Sequence, residues 1–434
     1  MTEQSATSLR TTWRPILAEG LSGESQEIIR EIAEQLRNWE PAANEDRPPG
    51  WSACVANGYS GLALFFAYLG LTKLDDRASE RAAGFLDKAM DRVAEEAMNP
   101  SLYAGFTGVA WTASHLQKHL FAADADDANE AVDAALGKYL AQSPWSGDFD
   151  LINGLVGFGA YALESLPKPA AAGLLARIID CLEESATRDS AGLTWWTNPL
   201  WLPRHLRGNH PKGYFNLGLA HGVPGIIGLL GAAAAAGVNA DKARTMLAQA
   251  VAWLLAQETR DGDWVGFPPW IEPEVTPGRN RLAWCYGDLG IAVSLLSAAR
   301  SVGSRAWEER ALAIAHRAAR CPIEQAGVQD AGVCHGAAGI GHLFNRLYQA
   351  TGEAAFVGAS RFWFQRTLAM REPGRGIAGY AAWWSSENGT TKWVNEPGFL
   401  LGVAGIGLAL LAASTPLEPL WDRLLLVALR PCLA

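Results

Sequence analysis

A Gly-x-x-Gly pair opens an apolar segment seven times along the chain: Gly58/Gly61, Gly105/Gly108, Gly154/Gly157, Gly222/Gly225, Gly287/Gly290, Gly336/Gly339 and Gly402/Gly405. One such pair carries little information, but seven in order describe a repeat architecture. The steps between first glycines fall into two sizes, three of 47 to 49 residues and three of 65 to 68, each long enough for two helices and their connections. The segment after each pair is apolar on nearly every side, as in Gly61 to Leu69 or Gly405 to Leu411, which is the signature of an enclosed helix. Between them run amphipathic, charge-bearing stretches such as 78–96, 243–258 and 306–319, suited to outer helices with one wet face. Strand signals are sparse. The economical arrangement is all-α, an α/α toroid of seven helical hairpins in which an inner ring encloses a central cavity and an outer ring covers it. The glycines are expected to let neighbouring inner helices approach closely. Residues 1–45 read as an N-terminal segment with an outer helix and a polar linker, and 46–434 as a single toroid domain.

The extra length of the three long steps falls just before the next glycine pair, near 189–219, 261–284 and 373–400, so these inserts share one end of the barrel. They are rich in Pro and Gly and carry nine of the 18 tryptophans: Trp195, Trp196, Trp201, Trp264, Trp270, Trp284, Trp383, Trp384 and Trp393. Such rings either plug the mouth of the toroid or line a groove for a flexible ligand, and the sequence leaves both readings open.

A net charge of -9 with no long basic run argues against nucleic acid or anionic lipid as a partner. The N-terminus lacks a secretory pattern, so cytoplasmic residence is the expectation. The apolar stretch 217–238 contains His221, Pro224 and six glycines and reads as a buried helix, so no transmembrane segment is expected. Six cysteines are too few for a disulfide scaffold.

The residues just before the glycine pairs mark one rim of the barrel. Repeats three to six place Asp150, His221, Cys285 and the Cys334-His335 doublet there. Two thiolates and one imidazole make a three-ligand zinc set with a coordination position left for substrate. His221 has the pKa suited to proton transfer near neutrality, and Asp150 is placed to orient it, with Asp148 as a rival two residues away. Arg281 and Tyr286 bracket Cys285 and are candidates for stabilising negative charge on a carbonyl oxygen, although a surface salt bridge and a packed ring suit them nearly as well. Cys54, Cys181, Cys321 and Cys432 lack ligand neighbours and read as inert. His115, His119, His205, His210, His316 and His342 fit core or surface roles, and Asp288 reads as a helix cap.

Three segments together, Asn-Leu-Gly-Leu-Ala-His-Gly-Val-Pro-Gly (216 to 225), Trp-Cys-Tyr-Gly-Asp-Leu-Gly (284 to 290) and Cys-His-Gly-Ala-Ala-Gly-Ile-Gly (334 to 341), resemble the lanthionine synthetase C-like family over about residues 50 to 412. The resemblance implies an α/α toroid with one Zn2+ on Cys285, Cys334 and His335, and His221, Asp150, Arg281 and Tyr286 as active-site residues. The implied reaction is Michael-type addition of a peptide cysteine to dehydroalanine or dehydrobutyrine, closing lanthionine or methyllanthionine thioether rings during lanthipeptide biosynthesis. The implied partners are a dehydrated precursor peptide with a leader segment, a separate dehydratase and a transporter complex that would hold the enzyme peripherally at a membrane. Two alternatives stay open: zinc-dependent addition of glutathione or another small thiol to dehydroamino acids, and a non-enzymatic, zinc-stabilised peptide-binding scaffold.

Overall fold

The computed structural model describes residues 13–41, 49–121, 129–276, 278–385 and 389–430; Cys432 lies outside them. Fourteen helices build the body: α1 Glu19–Leu36, α2 Tyr59–Leu69, α3 Ala78–Glu95, α4 Phe106–His119, α5 Glu130–Leu140, α6 Leu155–Ser165, α7 Pro169–Glu184, α8 Val223–Ala235, α9 Ala240–Ala256, α10 Asp288–Val302, α11 Arg305–Ala319, α12 Ala337–Thr351, α13 Ala354–Ala369 and α14 Val403–Ser414. The seven even-numbered helices begin at the seven glycine pairs, with the first glycine as N-cap in every case. They pack side by side in chain order, and α14 closes the ring on α2. Each odd-numbered helix covers an even-numbered one, so the fold is the expected α/α toroid. The last inner helix takes its outer partner from the other end of the chain: α1 packs on α14, and Ile16 N–H donates to Ala413 O at 2.9 Å. Only Val223–Ala235 of the stretch 217–238 is helical, as the buried helix α8; residues 217–222 form the turn before it, and no described helix is long and apolar enough to cross a membrane.

Every residue of α2 and of α14 is buried, side chains on all faces included. Burial of that kind contributes roughly 1.5–3 kcal/mol for each large apolar side chain, which offsets the low helix propensity of their glycines. The glycines do allow close approach of the neighbouring repeat, as at Gly61 and Gly405, but they also serve a purpose within their own turn. A Cβ at Gly222 would lie 2.1 Å from Asn216 O, and one at Gly225 would lie 2.6 Å from Leu219 O. The same clash with the carbonyl six residues upstream recurs at Gly58, Gly105, Gly154, Gly287 and Gly402. The turn that precedes each inner helix folds back over the helix's own N-terminus, and contact with the adjacent repeat is the second consequence, as where Gly157 meets Leu102.

Those turns are tied to one another around the barrel. Leu151 N–H donates to Ala220 O (3.1 Å), Ala220 to Cys285 O (3.3 Å), Cys285 to Cys334 O (3.2 Å), Cys334 to Leu400 O (2.9 Å), Leu400 to Ala56 O (3.1 Å) and Ala56 to Tyr103 O (3.0 Å). All but Leu151 stand two residues before a first glycine, so this girdle puts equivalent sequence positions next to each other in space.

The ring interior is not an open cavity. The C-terminal segment turns inward through a 3-10 helix, Leu420–Leu425, and packs among the inner helices. Fully buried Asp422 accepts from Arg346 Nε at 2.6 Å and Nη2 at 2.9 Å and pairs with His342 Nε2 at 2.7 Å. Tyr103 Oη donates to Leu424 O, and Trp284 Nε1 to Leu425 O. The plug is therefore tied to side chains of Tyr103 and Trp284 in the rim turns.

The inserts form short antiparallel strands: β1 Thr187–Arg188, β2 Leu193–Thr194, β3 Trp196–Thr197, β4 Tyr214–Asn216, β5 Thr259–Asp261, β6 Trp264–Gly266, β7 Trp270–Ile271, β8 Ala382–Ser385 and β9 Thr391–Val394. Strand β4 pairs with β3 and with β7, Phe215 opposite Ile271, which joins the first two inserts over one end of the barrel. The tryptophans divide between the two readings. Trp195 and Trp284 are fully buried, the first bonded to Leu182 O of the outer helix α7 and the second to Leu425 O of the C-terminal segment inside the ring; Trp201 and Trp384 line a cavity.

Candidate metal centre and acid–base pair

The girdle sets Cys285 and Cys334 side by side by linking their backbones, and His335 follows at the next position. One donor atom from each of Cys285, Cys334 and His335 lies within 4.8 Å of the other two. Cys285 is 6% exposed, while Cys334 and His335 are only partly covered. A hydrogen bond from Cys334 holds the Cys285 thiol well below the usual thiol range against the cost of burial, with His335 and Arg281 reinforcing it. Cys334, which keeps the shared proton, is pushed up by the same bond and by burial. Burial alone would lower His335, but its hydrogen bond with Cys285 and the charge there raise it instead. Two sulfurs and an imidazole converging at this range are a donor set that suits zinc, and they leave no place for hard, all-oxygen ions.

Beside this cluster is a cavity of about 560 Å³ whose lining includes Asp148, Asp150, His221 and Tyr286, with Trp201, His205 and Trp384 from the inserts above. His221 Nδ1 meets Asp150 Oδ2 at 2.5 Å; Asp150 is 5% exposed and the imidazole 39%. Asp150 is itself fixed, since its Oδ1 accepts from Asn153 N–H at 2.6 Å. Desolvation opposes a charge on His221, but the Asp150 carboxylate, its hydrogen bond, and the charges of Asp148 and Cys285 outweigh it and raise the pKa. With Nδ1 engaged, Nε2 is the nitrogen left to exchange a proton with a ligand. Asp148 does not touch the imidazole; its Oδ1 accepts from the backbone of Phe149 and Asp150. Burial, followed by the neighbouring Asp150 charge, pushes its carboxyl up to about 7.

Tyr286 lies with its ring centroid 6.0 Å from that of His221. Asn216 Oδ1 accepts from Gly218 N–H at 2.8 Å, which orients the amide so that Nδ2 donates to Tyr286 Oη at 2.9 Å. The phenol hydrogen therefore stays free to donate elsewhere. Burial raises the Tyr286 pKa well above its ordinary value and keeps it protonated. A Cβ at Gly218 would sit 2.7 Å from the Tyr286 ring, so glycine is required for this close approach. Asn216 carries a positioning role that residue type alone does not announce, although it opens the segment 216–225.

Arg281 is exposed and lines a different cleft, yet its charge acts on Cys285, Cys334 and His335. His205, expected in a core or surface role, lines the cavity of His221 instead. Asp288 is not a cap: Gly287 holds that position, and Asp288 accepts from Phe267 N–H at 3.1 Å and pairs with Arg317 at 2.8 Å. A second group of candidate donors, His115, His119 and Glu164, lies at the opposite ends of the inner helices. Glu164 Oε1 meets both imidazoles at 2.9 and 3.0 Å, His115 also meets Tyr68 Oη, and Arg423 lies 3.4 Å from Glu164 Oε2. The half-exposed Arg423 guanidinium already supplies a cation there, so this network is structural.

Residues 51–426 match the family described as Lanthionine synthetase C-like protein. The chain belongs to that family. Its structure is similar to that of nisin cyclase, with a TM-score of 0.71 and 17% sequence identity over 94% of this chain and 98% of that one. At this identity the likeness establishes the toroid, and the chemistry rests on this chain's own residues.

Proposed function

We propose that this member of the lanthionine synthetase C-like family is a zinc-dependent peptide cyclase that adds peptide cysteine thiols to dehydroalanine or dehydrobutyrine, forming lanthionine and methyllanthionine. The observation that carries this reading is the convergence of the Cys285, Cys334 and His335 donors, with Cys285 in electrostatic reach of His221 and the His221–Asp150 pair lining a cavity of about 560 Å³. Zinc held by Cys285, Cys334 and His335 would lower the pKa of an incoming thiol and hold it as a thiolate. The remaining work falls to the protein. His221 Nε2 takes up the thiol proton and returns it to the substrate α-carbon after the C–S bond forms at the β-carbon, so proton count is conserved. Asp150 holds the imidazole in one tautomer and stabilises its charged form. Tyr286, with its hydroxyl hydrogen free, donates to the carbonyl oxygen on which negative charge develops. Arg281 adds positive potential at the thiols. The substrate is a dehydrated precursor peptide supplied by a separate dehydratase.

The test is incubation of the zinc-loaded protein with a dehydrated, cysteine-containing peptide, with and without glutathione, followed by mass and free-thiol analysis. Loss of the thiol without change of mass supports ring closure. A mass gain of one glutathione per dehydroamino acid establishes intermolecular addition instead, and no reaction in either arm leaves a binding scaffold.

A further inference from the structure

A second cleft, of about 520 Å³, opens on the outer flank of the fifth repeat, between the β5–β6 hairpin, the end of α11 and residues 320–325. Four guanidiniums line it, those of Arg279, Arg281, Arg317 and Arg320. Two are engaged: Arg279 pairs with Asp261 and lies over the Trp264 ring, 5.9 Å from its centroid, and Arg317 pairs with Asp288 and Glu258. Arg281 and Arg320 are exposed, and among the described residues neither guanidinium has a hydrogen-bond or ion-pair partner. Asp263 and Asp288 line the same cleft, Asp288 paired with Arg317, so four guanidiniums face two carboxylates, and in a chain of net charge -9 that is a local reversal of sign. Arg281 belongs both to this cleft and to the electrostatic surroundings of the thiols, so a chain held here is near the metal-binding cluster.

We infer that this cleft docks a run of aspartate or glutamate side chains in the peptide substrate, with carboxylates on Arg281 and Arg320 and the chain against Trp264. The fork of each guanidinium matches a carboxylate in two-point contact, and the volume falls in the range of ligand sites. The inference deepens the cyclase reading by giving its substrate an acidic segment, but docking itself needs no chemistry.

The test therefore uses a fluorescent peptide without cysteine or dehydroamino acids, acetylated and amidated, so that side-chain carboxylates are its only anions. It carries Asp-Glu-Asp-Glu in one version and Asn-Gln-Asn-Gln in the other, and binding to the zinc-loaded full chain is read by anisotropy. The acidic peptide is expected to bind about tenfold more tightly at low salt, with the difference shrinking as salt is added. Arg320→Ala weakens the acidic peptide about fivefold and leaves the neutral one alone, and Arg320→Lys recovers part of the loss. Arg320→Ala leaves cyclisation of a peptide without acidic residues unchanged. Equal binding of the two peptides, or insensitivity of the acidic one to Arg320→Ala, overturns the inference. Acidic-peptide binding that persists in a protein that closes no rings refutes the cyclase reading and leaves the docking site standing.

Discussion

Asp150→Asn tests the acid–base assignment with almost no change of shape. Asp150 uses one oxygen for Asn153 N–H at 2.6 Å and the other for His221 Nδ1 at 2.5 Å. An asparagine has one oxygen and one amide nitrogen for these two donors. If the oxygen keeps Asn153, the NH2 group faces Nδ1, which then serves as the acceptor, and the ring proton moves to Nε2. A neutral His221 in that tautomer cannot take a thiol proton at the cavity face, and the lost carboxylate also removes the main influence that raises its pKa. Loss of a positioned acid–base group costs about 10² to 10⁴ in rate, or roughly 2.7 to 5.5 kcal/mol at about 1.4 kcal/mol per decade. The pH profile carries the sign. A folded-state pKa raised by Asp150 keeps His221 protonated to higher pH, and the protonated fraction falls as pH rises through it. Because His221 must be neutral to take the thiol proton, it sets the acid limb, and in Asp150→Asn that pKa falls, so the acid limb moves to lower pH. The assay is single-turnover cyclisation of a dehydrated peptide across pH 5 to 9, about the range in which histidine titrates, with zinc content measured on the same samples. Unchanged kcat with an unmoved acid limb refutes the assignment, and so does a rate loss fully accounted for by lost zinc.

The other predictions follow from the same geometry. Cys285→Ala and Cys334→Ala should each lose about one zinc per chain by elemental analysis while staying folded by circular dichroism; full zinc retention in both contradicts the ligand set. Asp148→Asn removes a carboxyl that titrates at about 7 and a negative charge that helps raise His221. Its kcat profile should lose an inflection near neutrality, with a rate loss of less than about tenfold because Asp148 does not contact the imidazole. Gly218→Ala places a methyl 2.6 Å from Cys285 O and 2.7 Å from the Tyr286 ring; kcat should fall with zinc retained, and a wild-type rate would show that the Tyr286 position is immaterial. Arg346→Ala leaves the fully buried Asp422 carboxylate without its guanidinium, so urea unfolding should register a loss of about 3–5 kcal/mol; a loss under about 1 kcal/mol would mean that the plug relaxes around the charge.

The toroid was legible in the sequence because its unit repeats: a local signal read seven times outweighs the ambiguity of any single glycine pair. The Cys285, Cys334 and His335 grouping was legible for the same reason, since the residues two and one before a first glycine are neighbours around the ring. What escaped were contacts that no repeat encodes. That α1 covers α14 is a pairing between the two ends of the chain, and that the C-terminal segment fills the ring depends on Asp422 finding His342 and Arg346. Asp422 alone looks like any surface acid. The role of the glycines was legible only in part, because a clash with a carbonyl six residues upstream has no counterpart in composition. His205 and Trp384 reach the cavity because their inserts fold over the rim, and the sequence of an insert says little about where its side chains turn.

The girdle also explains how a repetitive scaffold builds an asymmetric site. Backbone hydrogen bonds fix the turn before each inner helix, and the glycine pair is selected by the turn's own carbonyl. Neither requirement uses the side chains at the two positions in between, so these can vary without disturbing the ring. The positions directly before the first glycines carry Asn57, Ala104, Asn153, His221, Tyr286, His335 and Leu401 in ring order. Chemistry is concentrated on three adjacent members, His221, Tyr286 and His335. Asp150 joins them from the preceding repeat by a different route, four residues before its glycine rather than one, through its bond to His221. That departure coincides with the place where the girdle itself slips by one residue, at Leu151 rather than Ile152. The shifted turn tucks Asp150 inward, where its oxygens are shared between Asn153 and the imidazole. The repeat thus supplies equivalent anchor points, and the turn that slips at Leu151 supplies the carboxylate bonded to His221.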